Sequence, residues 1–376
     1  MAGLNETPGG NRIRIAFFGR RNAGKSTLVN AFTGQDIAIV SDVPGTTTDP
    51  VSKAMEILPL GPCLITDTAG LDDEGALGAQ RVRKSLDVLA TTDVAVWVEA
   101  DAVATPPESF LAECRRLKTR VLVFRRGDSV EGLKRQIAAL DLADDTPGLL
   151  DGLAAAGDSV VAVCPIDASA PKGRLILPQV QVLRDCLDRH LVATVCQPAE
   201  LASVLAQPHG GTRWVITDSQ AFKAVDAMVR AANDPQTRLT SFSVLFARQK
   251  GDLEILASGL AALGGLRDGD RVLIAEGCTH HRQCNDIGAV KIPKALAKLT
   301  GRRLEVSFSS GTGFPDLAAM DAAERPALVV HCGGCMLTRR EMHRRLQSAR
   351  AAGVPVVNYG LLLAAAAGVD VKAVLP

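Results

Sequence analysis

Two groups of residues in this chain have the types and spacing that chemistry needs. Near the start, Gly19-Arg-Arg-Asn-Ala-Gly-Lys25-Ser26 fits G-x-x-x-x-G-K-S and falls between an apolar run, Ile13–Phe18, and a helix-like run, Ser26–Thr33. Small residues there let backbone N–H groups curl round phosphate oxygens at a helix N-terminus. Gly19, Asn22, Ala23, Gly24, Lys25, Ser26 and Thr27 are therefore expected around a bound nucleotide. Lys25 should reach the β- and γ-phosphates, and Ser26 should ligate Mg²⁺. Downstream, Asp67-Thr-Ala-Gly70 follows the strand candidate Cys63–Thr66. Asp67 can hold Mg²⁺ through water, and the Gly70 N–H can sense a γ-phosphate. Between them the polar loop Pro44–Asp49 offers hydroxyls to the metal, Thr47 among them. All three elements occur in order, and nucleotide binding follows from them.

The second group lies in the last quarter. Cys278-Thr-His280 and His331-Cys332-Gly-Gly-Cys335 stand about fifty residues apart. Cys332 and Cys335 place two thiolates on one tight turn, whose glycines leave room for a bulky centre and for N–H donors to its sulfurs. Cys278 supplies a third thiolate from another loop. This spacing fits a 4Fe–4S cluster with one replaceable position, and it fits a zinc ion in a Cys₃His site equally well. Glu276, His280 and His331 are candidates for a fourth ligand or for a supporting contact. His281 reads as an ordinary hydrogen-bonded histidine, and His343 and Met336 as packing or surface residues.

The elements that must position these residues read as α/β. From Arg12 to about Gly173, short apolar runs alternate with helix-length amphipathic stretches, the signature of a mostly parallel sheet wrapped by helices. Strands are expected at Ile13–Phe18, Cys63–Thr66, Val94–Val98, Val121–Phe124 and Val160–Cys164, with helices at Ala79–Ala90 and Ser109–Lys118. A break at Ala168–Gly173 ends this unit, giving a P-loop domain over residues 1–173. A second, smaller α/β domain over 174–265 has a helix at Pro178–His190, a strand at Trp214–Thr217, a helix at Gln220–Ala231 and an apolar run at Ser241–Arg248. A third, over 266–376, has strands at Arg271–Ala275, Leu304–Phe308, Leu328–His331 and Pro355–Asn358. Its cysteines and histidines follow two of these strands, and the carboxyl ends of parallel strands are where ligand sites form.

Composition excludes several classes. The 376 residues are 47% hydrophobic and 22% charged, ordinary for globular domains. Lys+Arg 42 against Asp+Glu 41 leaves a net charge of +1, and aromatics are 3%. Neither a field for nucleic acid nor a base-stacking surface is expected. The longest apolar run, Tyr359–Val369, is half of what a membrane span requires, and no basic-then-apolar leader opens the chain. A soluble, cytoplasmic protein is expected. Of the nine cysteines, Cys63, Cys114, Cys164, Cys186 and Cys196 stand singly among apolar neighbours and read as core. The Arg pairs at 20–21, 125–126, 302–303, 339–340 and 344–345 read as solvated faces.

The P-loop, Gly45-Thr-Thr-Thr-Asp49 and Asp67-Thr-Ala-Gly70 together resemble the GTPases that include tRNA-modifying and ribosome-assembly members. The resemblance implies that Asn22 helps bind a K⁺ ion in place of an arginine finger, so that Lys25, Asn22, Thr47 and Asp67 carry a slow, K⁺-stimulated hydrolysis. Such GTPases read guanine with Asn-Lys-x-Asp. Here that place reads Arg125-Arg126-Gly127-Asp128, which keeps only Asp128, and the Ser-Ala usual after the next strand is replaced by Cys164-Pro165.

Cys-x-His, a gap of about fifty, then His-Cys-x-x-Cys behind an N-terminal GTPase resembles the FeFe-hydrogenase maturation GTPases. The likeness extends to Gly173–Val180, Thr217–Phe222, Ser241–Leu253, Leu273–His281, Asp286–Pro293, His331–Met336 and Asn358–Gly360. It implies a GTPase domain, a dimerisation domain and a cluster-binding domain, with a 4Fe–4S cluster on Cys278, Cys332 and Cys335. Cys284 is not used in that pattern. The family scaffolds a two-iron subcluster bearing CO, cyanide and a dithiolate, and carries it to apo FeFe-hydrogenase. Two radical-SAM maturases would act upstream, on a homodimer. The alternative is an RNA-modification or ribosome-assembly GTPase with a zinc-bearing C-terminal domain.

Overall fold

Strand β1 (Ile13–Gly19) is apolar on both faces, and that places it in the middle of a covered sheet. Ile15 and Phe17 pack to one side with Leu28, Val29 and Phe32 of helix α1 (Lys25–Thr33) and with Leu133 and Ile137 of α4 (Val130–Ala138). Ala16 and Phe18 pack to the other side with Trp97, Phe110 and Cys114. The computed structural model to which these elements belong describes residues 7–34, 50–72, 75–100, 105–140, 142, 146–166, 173–278, 286–311 and 313–376. It divides into two units, Thr7–Asp145 and Thr146–Pro376.

In the first unit, β1 lies between β3 (Gly61–Asp67) and β4 (Val94–Glu99), and β5 (Arg120–Arg125) closes one edge. These four strands are parallel. The outer strand β2 (Val51–Ile57), which the sequence did not single out, runs antiparallel to β3. Most of its residues are half-buried or exposed, so it lacks the continuous apolar run that marks its neighbours. Helices α2 (Gly75–Leu89) and α3 (Glu108–Arg116) complete the layers. In register, Phe17 pairs with Asp67, so the carboxyl ends of β1 and β3 emerge side by side. The G-x-x-x-x-G-K-S loop and the Asp67–Gly70 segment meet at that junction.

The second unit contains two four-stranded parallel sheets. One has the order β7-β6-β8-β9, with β6 (Ser159–Val163), β7 (Val192–Cys196), β8 (Arg213–Thr217) and β9 (Thr237–Ser241). This corrects the expected boundary. The run Val160–Cys164 does form a strand, but it pairs with β7 and β8, and the first unit ends ahead of Thr146 rather than near residue 173. An apolar run declares a buried parallel strand without declaring its partners. Around this sheet lie α5 (Leu177–Asp188), α6 (Leu201–Leu205), α7 (Phe222–Ala232) and α8 (Phe242–Lys250). The apolar run after Ser241 is thus helix α8, which Ser241 caps by accepting from the Val244 N–H at 3.3 Å.

The other sheet has the order β11-β10-β12-β13, with β10 (Arg271–Ala275), β11 (Glu305–Ser309), β12 (Leu328–His331) and β13 (Val356–Asn358). Helices α9 (Leu253–Ser258), α10 (Ile292–Thr300), α11 (Arg339–Ala351), α12 (Tyr359–Ala367) and α13 (Val371–Val374) belong to this half of the chain. Helix α12 is apolar all round because it serves both sheets. Leu361 and Ala364 join the core over β6 and β8, whereas Tyr359 and Leu362 join the core over β10 and β12. A helix buried on every face needs no polar stripe. The expected division at residue 265 therefore falls inside one packed unit.

Candidate functional site

The phosphate loop is shaped by residues that only small side chains or left-handed backbone permit. A Cβ on Gly19 would strike the Val98 carbonyl oxygen, and Gly24, the N-cap of α1, has φ +89°. Asn22 is also left-handed, at φ 59°. Lys25 is buried, its Nζ donating to the Arg20 carbonyl at 2.8 Å and to Gly19 at 3.4 Å. Ser26 Oγ donates to Asp67 Oδ2 at 2.6 Å. Asp67 is wholly buried, and its Oδ1 has no hydrogen-bond partner. Burial raises its carboxyl above the ordinary range, against the Ser26 hydrogen bond and the Lys25 charge. A hydroxyl and a buried carboxylate with a free oxygen, one hydrogen bond apart, fit a Mg²⁺ ion that would use both.

The segment after β3 lies directly on this loop. Leu71 N–H donates to Gly19 O at 3.2 Å, and Arg21 N–H donates to Asp72 Oδ1 at 2.5 Å. A Cβ on Gly70 would meet the Arg21 nitrogen at 2.8 Å, so glycine there is a close-approach requirement. Thr27 is exposed on the first turn of α1. Thr47, with the rest of the Pro44–Asp49 loop, lies outside the described residues.

After β5 the chain closes a tight turn. Arg125 N–H donates to Asp128 Oδ2 at 2.7 Å, Asp128 N–H returns to Arg125 O at 3.0 Å, and Gly127 is left-handed at φ +100°. Asp128 therefore already shares one oxygen with its own loop. The Cys164-Pro165 pair, which stands in sequence where Ser-Ala is usual, sits at the end of β6 in the second unit, with the Cys164 N–H on Cys196 O at 2.8 Å. The sheet of the first unit ends at β5.

The cysteines sit at the carboxyl ends of β10 and β12. Ala275 pairs with His331 and His331 with Asn358, so three strands end level. Glu276-Gly277-Cys278 follows the first, Cys332–Cys335 the second, and Tyr359 the third. Cys332 N–H anchors to Ala275 O at 3.0 Å. Its Sγ accepts two backbone N–H groups, from Gly277 at 3.1 Å and Gly334 at 3.4 Å. Gly334 is left-handed at φ +73°, and a Cβ on Gly333 would press on the Ser243 carbonyl oxygen at 2.9 Å. Burial raises all three thiols, and Cys335 is pushed up to about 12. Cys278 is raised further by the charges of Cys332 and Cys335, so the three thiols share one electrostatic neighbourhood. Ligation has to remove these protons and compensate the resulting thiolates.

His331 has both ring nitrogens engaged. Nδ1 lies 2.7 Å from Cys332 O, and Nε2 lies 3.2 Å from Nη1 of Arg345. A guanidinium can only donate, which assigns the proton to Nδ1. Burial, then the Arg345 charge, lowers the imidazole to about 4, so it stays neutral. Arg345 is 1% exposed and pairs with Glu341 at 2.7 Å, which corrects its expected place on a solvated face. Its position in α11 carries the signal: Met342, Arg345, Leu346 and Ala349 fall on one helical stripe. Lys250 at the end of α8 is equally buried and donates to Cys335 O at 3.1 Å and Leu337 O at 2.7 Å, pinning the Cys-x-x-Cys turn. The sequence reading missed it. The only cue is a lysine closing an apolar helix. Glu276 is buried with its carboxylate against Gly288. His280, His281 and Cys284 lie outside the described residues. Among the described residues, no three Cys, His, Asp or Glu side chains are arranged to hold one metal ion.

Cys63, Cys114, Cys164 and Cys186 are buried, as expected of core thiols, and Cys196 is half-buried. No described helix is long and apolar enough to cross a membrane.

The first unit carries a P-loop beside a buried carboxylate on a mostly parallel sheet, and its residues 14–126 match the 50S ribosome-binding GTPase family, which makes it a GTPase domain. Residues 149–251 match the hydrogen maturase F dimerization domain, and residues 254–376 match the tetramerization domain of the same family. Together these two span more than half of the chain, and the chain belongs to the hydrogen maturase F family, the hydrogenase maturation GTPases. It is also similar to tRNA modification GTPases MnmE. That of Methylobacterium sp. (strain 4-46) is 34% identical over 213 residues, covering 54% of this chain and 46% of the relative. That of Synechococcus sp. (strain JA-3-3Ab) is 42% identical over 99 residues, covering 24% and 21%. The chain thus spans less than half the length of these relatives, whose likeness reflects the GTPase domain. Aquifex aeolicus Era bound to GDP·AlF4⁻ aligns with 90% of this chain and 98% of its own, at 16% identity and a TM-score of 0.27.

Proposed function

We propose that this hydrogenase maturation GTPase is a scaffold and carrier, holding a 4Fe–4S cluster on Cys278, Cys332 and Cys335. On it the two-iron subcluster, with its CO, cyanide and dithiolate ligands, is completed for delivery to apo FeFe-hydrogenase. The observation that carries the reading is at Cys332, whose Sγ already accepts two backbone N–H groups, at a strand end level with the one that leads to Cys278. Backbone N–H groups directed at sulfur suit a thiolate bound to a cluster. When bound, the cluster supplies an iron with an exchangeable fourth position. Glu276, buried just before Cys278, would be a candidate to serve it, and His280 remains a candidate outside the described residues. His331 supports the site by holding the Cys332 carbonyl and Arg345 rather than by ligating.

The first unit would bind GTP with Mg²⁺ through Lys25, Ser26 and Asp67, with Thr47 as a further ligand. Asn22 would hold an activating K⁺, and equal hydrolysis rates in Na⁺ and K⁺ would remove that role. Two radical-SAM maturases would be the upstream partners. A homodimer in the cytoplasm is the working assembly. The zinc-bearing, RNA-linked alternative loses support because the matches beyond the GTPase domain are to hydrogen maturase F. The test is activation of apo-hydrogenase by the anaerobically loaded chain beside its Cys335→Ser variant. Activation by the wild type alone is expected. Equal activation by both would sink the ligand assignment.

A further inference from the structure

Among the described residues, two buried polar atoms at the strand ends of this sheet have no hydrogen-bond partner: Ser309 Oγ, which closes β11, and Tyr359 Oη, beside the cysteines. Tyr359 follows β13 by one residue, as Cys332 follows β12, and the residues before them, Asn358 and His331, are register partners. Tyr359 is 5% exposed and packs in the core with Ile274, Ile292, Val330 and Leu362. Its hydroxyl is buried and has no hydrogen-bond partner. It is directed at Gly288, where a Cβ would lie 2.9 Å from Oη and would also collide with Glu276 Oε1. Cys332 packs against the same core cluster as Tyr359, and the charges of Cys332, Glu276, Asp286 and Cys278 all bear on the hydroxyl.

A buried hydroxyl without a partner costs stability that a phenylalanine would not. The ring alone fills the core, so the oxygen needs another account. We propose that the Tyr359 hydroxyl is a hydrogen-bond donor to the metal–sulfur group held by Cys278, Cys332 and Cys335, adding to the Gly277 and Gly334 N–H donors. The inference rests on the reading that such a group is bound there. Tyr359 is a positioning residue that touches sulfur and no reacting atom. A donor at sulfur withdraws electron density from the cluster and favours its reduced form. The competing arrangement is a hydroxyl that shifts onto the Glu276 carboxylate in the metal-free protein.

The experiment uses the full chain and its Tyr359→Phe variant, reconstituted anaerobically with iron and sulfide. Thermal unfolding is followed with and without metal, and the reduction potential by EPR-monitored titration. The expected metal-free variant unfolds at the same or a higher temperature, because only an unsatisfied oxygen has gone. Loaded, it keeps its iron but has a more negative potential. Iron–sulfur stretching frequencies shift on exchange into D₂O, and the shift is smaller in Tyr359→Phe than in the wild type, since the Gly277 and Gly334 N–H donors exchange in both. A lower unfolding temperature of the metal-free variant would assign the hydroxyl to Glu276 and overturn the proposal, as would an unchanged potential or no contribution of Tyr359 to the D₂O shift. A wild type that takes up no iron would instead overturn the cluster reading, and this proposal with it.

Discussion

At the scale of single residues, the phosphate site was readable because its chemistry is local: G-x-x-x-x-G-K-S prescribes a backbone shape as well as side chains. Asp67→Asn should abolish Mg²⁺-dependent hydrolysis, by about 10²-fold or more in kcat. It should also raise the thermal midpoint of the nucleotide-free protein, since a buried carboxylate with an unpaired oxygen is being neutralised. Calorimetry without nucleotide, beside a phosphate-release assay, checks both. Base selection is the other residue-scale matter. With Arg125 and Arg126 where guanine readers have Asn and Lys, and Asp128 partly spent on its own turn, GTP should be preferred over ATP by less than about 100-fold. Competition of GDP and ADP for a fluorescent nucleotide measures this, and Asp128→Ala should erase what preference remains. Arg345 and Lys250 were not legible as functional, because burial of a single cation depends on tertiary neighbours that no local spacing encodes. The helical stripe containing Arg345 was the nearest thing to a signal.

At the scale of elements, α11 carries a buried ion pair with a defined pH signature. Burial pushes the Glu341 carboxyl up, but Arg344 and Arg345 more than offset it, leaving it below its ordinary value. A depressed acid contributes stability that is present above the unfolded value, near 4.5, and lost as pH falls through the folded one. The urea midpoint of the metal-free protein should therefore fall on acidification below about pH 4.5, and Glu341→Gln should flatten that fall. Arg345→Met, which leaves Glu341 buried with one cation fewer, should cost about 3–5 kcal/mol. Strand β7 makes a different point. It is the edge of its sheet, with Val192 61% and Val195 47% exposed, and it lies within the family's dimerization segment. An apolar edge is a pairing surface. Val195→Lys should shift the assembly toward monomer in sedimentation velocity. Its short, half-exposed run, broken by Thr194, is also why the sequence reading passed over it, as it did β2: neither has the continuous apolar run that marked β1, β4 and β8.

At the scale of the whole molecule, the α/β class and the order of GTPase and cysteine-bearing parts were legible, because each motif came with its strand and helix context. The boundary was not. A fifth parallel strand reads as a continuation of the first sheet until its pairing with β7 and β8 is seen. Because the chain divides between Asp145 and Thr146, the two chemistries should be separable. Lys25→Ala should abolish hydrolysis while leaving iron content unchanged, and Cys335→Ser should lose iron while leaving hydrolysis intact. Loss of iron in Lys25→Ala would mean that the units are coupled. The measurement that bears most directly on the scaffold reading is metal and sulfide analysis of the anaerobically reconstituted chain, with absorption and EPR spectra on the same sample. The account predicts about four irons and four sulfides per chain, with a signal that appears on reduction and is absent from Cys335→Ser. A colourless protein carrying a single zinc would contradict it.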